Sequence, residues 1–172
     1  ATAGFLLAAC GQGKKEETTV ATTTQETTAT PTTVYSLEDA QKAVFETVSV
    51  SGKDTVTLYY KDDVLLKQEV VTKFIVSKME EKNPLELLKK TAQKTQEKMK
   101  DFIGKGVEIK TDYKDDVFTF AYSFDYTKLD MQKLKESISN LNLRDDNTIS
   151  YSDYKDSLVQ QGYKEKQTTA AK

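Results

Sequence analysis

The chain has 172 residues, 37% of them hydrophobic and 30% charged, with a net charge of −2, which leaves room for one ordinary globular domain plus unstructured chain. No surplus of positive charge points to nucleic acid as a partner. With no histidine and a single cysteine, the chain has no means for serine–histidine catalysis, histidine-containing zinc sites or an internal disulfide.

That cysteine, Cys10, ends the stretch "GFLLAAC" and is followed at once by Gly11-Gln12-Gly13 and charge. Leu7-Ala8-Ala9-Cys10 resembles the lipobox of bacterial lipoproteins, in which small residues fit the signal-peptidase subsites before a cysteine that receives a lipid. The resemblance implies cleavage between Ala9 and Cys10, a diacylglyceryl group on Cys10, and residues 1–9 as the residue of a signal peptide. Two acyl chains make anchoring stable where one gives only marginal binding. No later stretch approaches the ~20 apolar residues of a membrane span. The expected location is the outer face of the cytoplasmic membrane, of Gram-positive type, with a periplasmic lipoprotein as the alternative.

From Cys10 to Val34 ten of the sixteen residues between Thr18 and Thr33 are threonine, and no aromatic residue occurs. Such a segment does not offset its ordering entropy by burial and is read as a flexible tether. Its 24 residues after Cys10 have an r.m.s. reach of about 25–30 Å.

Residues 35–166 are read as a single α+β domain, and 167–172 as a flexible tail. Ser36-Leu37-Glu38-Asp39 is either a capping box opening a short helix or an approach to the first strand. Residues 43–50, 55–60 and 64–76 are rich in β-branched and aromatic side chains and are separated by turn-forming residues, which predicts three antiparallel strands in succession. In the third, Val64, Leu66, Val70, Phe74 and Val76 are expected on one face and Lys67, Glu69 and Lys73 on the other.

Asn83-Pro84-Leu85-Glu86 predicts a helix start with Asn83 as N-cap, and the apolar positions then recur at three- and four-residue steps towards Gly104 as C-cap. Its lysines, among them Lys89, Lys94 and Lys98, form either a solvated face or a docking surface for anionic polymer or phospholipid; the interspersed Glu86, Glu97 and Asp101 favour the former.

Two more strands follow, 107–113 and 117–126, joined by Lys114-Asp115-Asp116. Tyr113-Lys114-Asp115-Asp116-Val117 repeats Tyr60-Lys61-Asp62-Asp63-Val64 letter for letter, which two hairpins on one turn type explain. Calcium binding is the alternative, though neither copy has the acid spacing and glycine of a calcium loop. Two short C-terminal helices are expected, one capped by Asp130 and carrying Leu134, Ile138 and Leu141, the other capped by Ser152 with Tyr154, Leu158 and Val159 inward and Gly162 as its stop.

On the strand 117–126, Phe118, Phe120, Tyr122, Phe124 and Tyr126 alternate onto one face. They either fill a core beneath the long helix or line a groove for an apolar or sugar-like ligand, with Tyr122 and Tyr126 as the candidate ligand surface. No catalytic or metal-ligating set stands out: Glu80-Glu81 and Asp145-Asp146 are adjacent in sequence and marked by nothing as an acid/base pair.

Together "TLYYKDDVLLKQEVVTKF", the long helix, "DVFTFAYSFDYTKLDMQKL" and the closing "LVQQGYKE" resemble the YehR-like lipoproteins, a small bacterial family of unknown function. The resemblance implies a lipidated, exported α+β domain and carries over no functional residue except Cys10. The expected architecture is a five-stranded, mainly antiparallel sheet with the long amphipathic helix on one face. The expected role is a monomeric binding or protein-interaction module that is not an enzyme, with the membrane as partner through the lipid on Cys10, an unidentified protein or cell-wall partner, and no cofactor, metal or nucleic acid. An enzyme or enzyme accessory acting on cell-wall material is the alternative.

Overall fold

The computed structural model describes residues 34–166. Cys10, its lipobox residues Leu7, Ala8 and Ala9, the tether up to Thr33 and the tail from Gln167 lie outside the described residues. Six strands form one antiparallel sheet in the order β4-β5-β3-β2-β1-β6, and three helices accompany it. The strands are β1 (Gln41–Ser49), β2 (Gly52–Lys61), β3 (Val64–Ile75), β4 (Val107–Lys114), β5 (Val117–Asp125) and β6 (Lys164–Lys166). The helices are α1 (Pro84–Met99), α2 (Met131–Ser137) and α3 (Tyr151–Gln160).

Five strands were legible from alternation; the sixth was not. Lys164-Glu165-Lys166 has no apolar face, and it becomes a strand by pairing with Val44–Glu46 at the edge of β1. Ion pairs Lys166–Glu46 (3.2 Å) and Lys155–Glu165 (3.2 Å) reinforce the edge. At the other end of the domain, Ser36–Asp39 is a turn and not a helix: the Ser36 hydroxyl accepts from the Glu38 N–H (3.1 Å) and Asp39 takes φ 60°.

The repeated Tyr-Lys-Asp-Asp-Val segments form the two-residue turns β2–β3 and β4–β5, with both central aspartates at positive φ (Asp62 49°, Asp63 60°, Asp115 50°, Asp116 65°). This is the type I′ pattern, whose twist matches that of the strands and which aspartate tolerates. Because β3 and β5 pair antiparallel, the two turns lie at opposite ends of the sheet. In each, the second aspartate latches the segment beside it. Asp116 accepts the Val76 N–H on its carbonyl (2.9 Å) and the Ser77 N–H on its carboxylate (3.1 Å), and the Ser77 hydroxyl also donates to it. Asp63 accepts the Tyr151 N–H on its carbonyl (3.0 Å) and the Ser152 N–H on its carboxylate (2.7 Å), with further bonds from the Ser150 hydroxyl (3.2 Å) and Arg144 (2.5 Å).

That second latch explains a shift at α3. Ser152 has its N–H taken by Asp63, and Ser150 is the N-cap, its hydroxyl accepting from Asp153 N–H (3.2 Å). Tyr151, Tyr154 and Leu158 are buried, whereas Val159 is half-exposed on the outer side. In α2 Asp130 caps the helix as expected, accepting from Lys133 N–H, but the helix ends at Ser137 and Ile138 and Leu141 are buried beyond it. Asn83 precedes α1 in a left-handed conformation (φ 57°, ψ 58°) from which its side chain makes no cap bond, and the start rests on Pro84. The helix stops at Met99, short of Gly104, which takes φ 79° in the turn leading to β4. Its lysines are all exposed.

A bulge at Tyr59/Tyr60 corrects the face assignment in β3. The extra residue swaps the alternation, so Leu65 joins Val70, Leu58, Val56 and Phe45 in the core cluster while Val64 and Leu66 are buried outside it. Phe118, Phe120, Tyr122 and Phe124 enter the same core, beneath Leu88, Ala92 and Met99 of α1.

Candidate functional site

The sheet face that carries the core does not stay apolar to its end. The strand registers place Thr47 of β1, Asp54 of β2, Thr72 of β3 and Phe120 of β5 in one row, adjacent to the row Phe45, Val56, Val70 and Tyr122. A carboxylate and two hydroxyls thus stand on the core side of the sheet. Between this row, Thr95 of α1 and the chain leaving α3 at Gln161 and Tyr163 lies a cleft of about 240 Å³.

Asp54 organises the cleft. One carboxylate oxygen accepts from the Thr72 hydroxyl across the β2–β3 ladder, and the other accepts from the Tyr163 hydroxyl (2.7 Å). A half-buried carboxylate is held by such charge-assisted bonds. Burial pushes the Tyr163 phenol up from its ordinary pKa, and the bond to Asp54 adds to the shift. Burial likewise pushes Tyr122 up, with the charge of Asp54 as a second cause. Both phenols therefore stay protonated and available as donors at neutral pH.

Tyr122 is 7% exposed, and its ring packs against Phe120 (5.6 Å) and edge-on against Phe124 (5.8 Å). Among the described residues its hydroxyl makes no hydrogen bond to the protein, yet no side-chain polar atom is sealed away unsatisfied, so that hydroxyl reaches the cleft it lines. Tyr126 is placed differently. It follows the end of β5, and its hydroxyl is committed to Oε1 of buried Gln68 (3.0 Å), which also accepts from Tyr154 (2.7 Å). The two candidate tyrosines thus serve separate clusters.

Two other hollows have polar groups that satisfy each other. In one, of about 380 Å³ beside Val64, Tyr126 and Met131, Asp146 accepts from the backbone N–H (3.0 Å) and hydroxyl (2.5 Å) of Thr148. In the other, of about 390 Å³ along α3, Arg144 is held by Asp63. Asp145 is exposed beside Asp146, and Glu80 and Glu81 flank the approach to α1 without joining either hollow. Among the described residues no group of three or more acidic, histidine or cysteine side chains is placed to hold a metal ion.

Sequence reasoning missed Asp54, Thr72 and Tyr163. Asp54 falls just outside the predicted strand 55–60, although stepping back by two from Leu58 and Val56 lands on it. A charge on the apolar side of a strand was the available signal.

No helix among the described residues is long and apolar enough to cross a membrane. No curated protein matches the chain. The solution structure of the E. coli YehR protein is similar, with 25% identity over 73% of this chain and 90% of that one and a TM-score of 0.55. The NMR structure of a protein from Streptococcus pneumoniae TIGR4 aligns at 17% identity over 91% of this chain and 99% of that one, with a TM-score of 0.46. The family model described as "Protein of unknown function (DUF1307)" matches residues 34–164, and on that extent the chain belongs to the DUF1307 family.

Proposed function

We propose that this protein is a lipoprotein held at the outer face of the bacterial cytoplasmic membrane by a lipid on Cys10, and that its folded domain is a ligand-binding module. The anchoring half is supported by the lipobox-like Leu7-Ala8-Ala9-Cys10 and the threonine-rich segment after it. The binding half is carried by one observation: a nine-tenths buried tyrosine, Tyr122, has a hydroxyl with no hydrogen bond to the described residues in a cleft that also holds Asp54. Asp54 is braced by Thr72 and Tyr163, an arrangement that orients an acceptor towards a ligand.

Each half has its own test. The chain produced behind a bacterial lipoprotein leader in cells fed an alkynyl fatty acid should be labelled and membrane-bound, and Cys10→Ala should lose both properties. Label retained by that variant would end the anchoring reading. Purified full chain incubated with a small-molecule extract of bacterial envelopes and desalted should carry an added mass in native mass spectrometry, lost in Asp54→Asn. Absence of any such adduct would end the binding reading.

A further inference from the structure

We propose that the cleft takes one neutral, hydroxyl-rich ring of the monosaccharide class, held between the Asp54 carboxylate and the Tyr122 hydroxyl. The proposal rests on the binding reading above and names its ligand.

The hydrogen-bonding capacity left in the cleft selects the ligand. A carboxylate offers about four lone-pair positions, and Asp54 uses two, for Thr72 and Tyr163. It can accept further O–H or N–H donors. The Tyr122 ring is buried among aromatic rings, while its hydroxyl, at the cleft and without a hydrogen bond to any of the described residues, both donates and accepts. A buried phenol normally finds a partner, and here the cleft is the side from which one can come. Sugar hydroxyls meet both demands at once, giving a proton to Asp54 and exchanging one with Tyr122.

Charge narrows the alternatives. An anion meets the Asp54 carboxylate with no lysine on the same face, because Lys53 and Lys73 alternate onto the opposite side of the sheet, where Lys53 pairs with Glu46 (3.1 Å). A neutral ligand avoids that repulsion and leaves the bonds from Thr72 and Tyr163 to the carboxylate in place, and the cationic alternative is the choline arm of the test below. Phe74, Phe120 and Tyr163 add apolar surface for the C–H face of a ring. The volume, about 240 Å³, is below the roughly 300–1,000 Å³ of drug-sized sites, which fits one ring better than an oligosaccharide.

Amide NMR spectra of the full chain titrated separately with N-acetylglucosamine, D-glucose, choline and inorganic phosphate test this. Either sugar should shift the amides of Asp54, Thr95, Tyr122 and Tyr163 at millimolar concentration. Tyr122→Phe should weaken that response about two- to tenfold, the loss expected for one hydrogen bond. Its urea midpoint should stay near that of the parent, since the hydroxyl supports no protein bond. No cleft response to either sugar up to tens of millimolar, a response to choline or phosphate in their place, or an unchanged affinity in Tyr122→Phe would each overturn the proposal. An envelope-derived adduct that is not a sugar would leave the binding reading standing and remove only this inference.

Discussion

Phe120→Ala measures how much of this domain rests on the aromatic strand. Phe120 is 1% exposed, in the centre of β5 and opposite Thr72, with Tyr122 against its ring. Truncation removes about 150 Å² of buried apolar surface, worth about 4 kcal/mol at 25 cal/mol per Å². A sealed cavity would add to that figure, but Phe120 also borders the cleft, so solvent enters the space and the cavity contribution shrinks. The expected loss is therefore about 3–4 kcal/mol, within the range seen for buried phenylalanine. With a urea m-value of about 2 kcal/mol per M for a domain of this size, the midpoint falls by about 1.5–2 M. Equilibrium urea denaturation followed by far-UV circular dichroism reads it directly. A loss under about 1 kcal/mol, the scale of surface substitutions, would refute the core assignment and return β5 to the groove reading.

The two latches are expected to differ in strength. Each substitution leaves alanine at positive φ (60° at Asp63, 65° at Asp116), but Asp63→Ala also removes an acceptor shared by Ser150, Ser152 and Arg144 and should cost about 3 kcal/mol, whereas Asp116→Ala also loses the contacts to Ser77 and should cost about 2 kcal/mol; denaturation midpoints in the reverse order would refute this. Acid should weaken the fold through the first latch. Burial opposes ionisation of Asp63, but the bonds from Ser152 and Ser150 and the charge of Arg144 outweigh it and hold the carboxyl below the usual range. A folded-state value below the unfolded one means stability is complete above the ordinary carboxylate pKa and is lost as pH falls through the folded value, so the urea midpoint of the parent should drop between about pH 5 and pH 2 and that of Asp63→Asn should drop less. At Gly52 a Cβ would lie 2.5 Å from the Lys73 carbonyl oxygen, a backbone atom fixed in the β2–β3 ladder. Gly52→Ala should therefore cost about 1–3 kcal/mol, and a thermal midpoint equal to the parent's would show that the ladder gives way freely.

What the sequence determined by itself were features that neighbours along the chain decide. Alternation located five strands, the paired aspartates of the two identical segments announced their turns, Pro84 marked the start of α1 and Asp130 capped α2. Each depends on backbone preference or on a bond reaching three residues. The order of strands was not legible, because a period of two says which face a residue takes and nothing about which strand lies beside it. The bulge that exchanged Leu66 for Leu65 in the core, and the choice of Ser150 over Ser152 as cap, came from contacts with Tyr60 of β2 and with Asp63 in the β2–β3 turn. The same holds for β6, which is a strand only because β1 offers an open edge. The cleft shows the limit most clearly. Asp54 and Thr72 face each other across a ladder, but Tyr163 reaches Asp54 from 109 residues away. A carboxylate on the apolar side of a sheet is tolerable only when such a distant donor meets it, and that meeting exists only once the sheet, α1 and the exit of α3 have packed together.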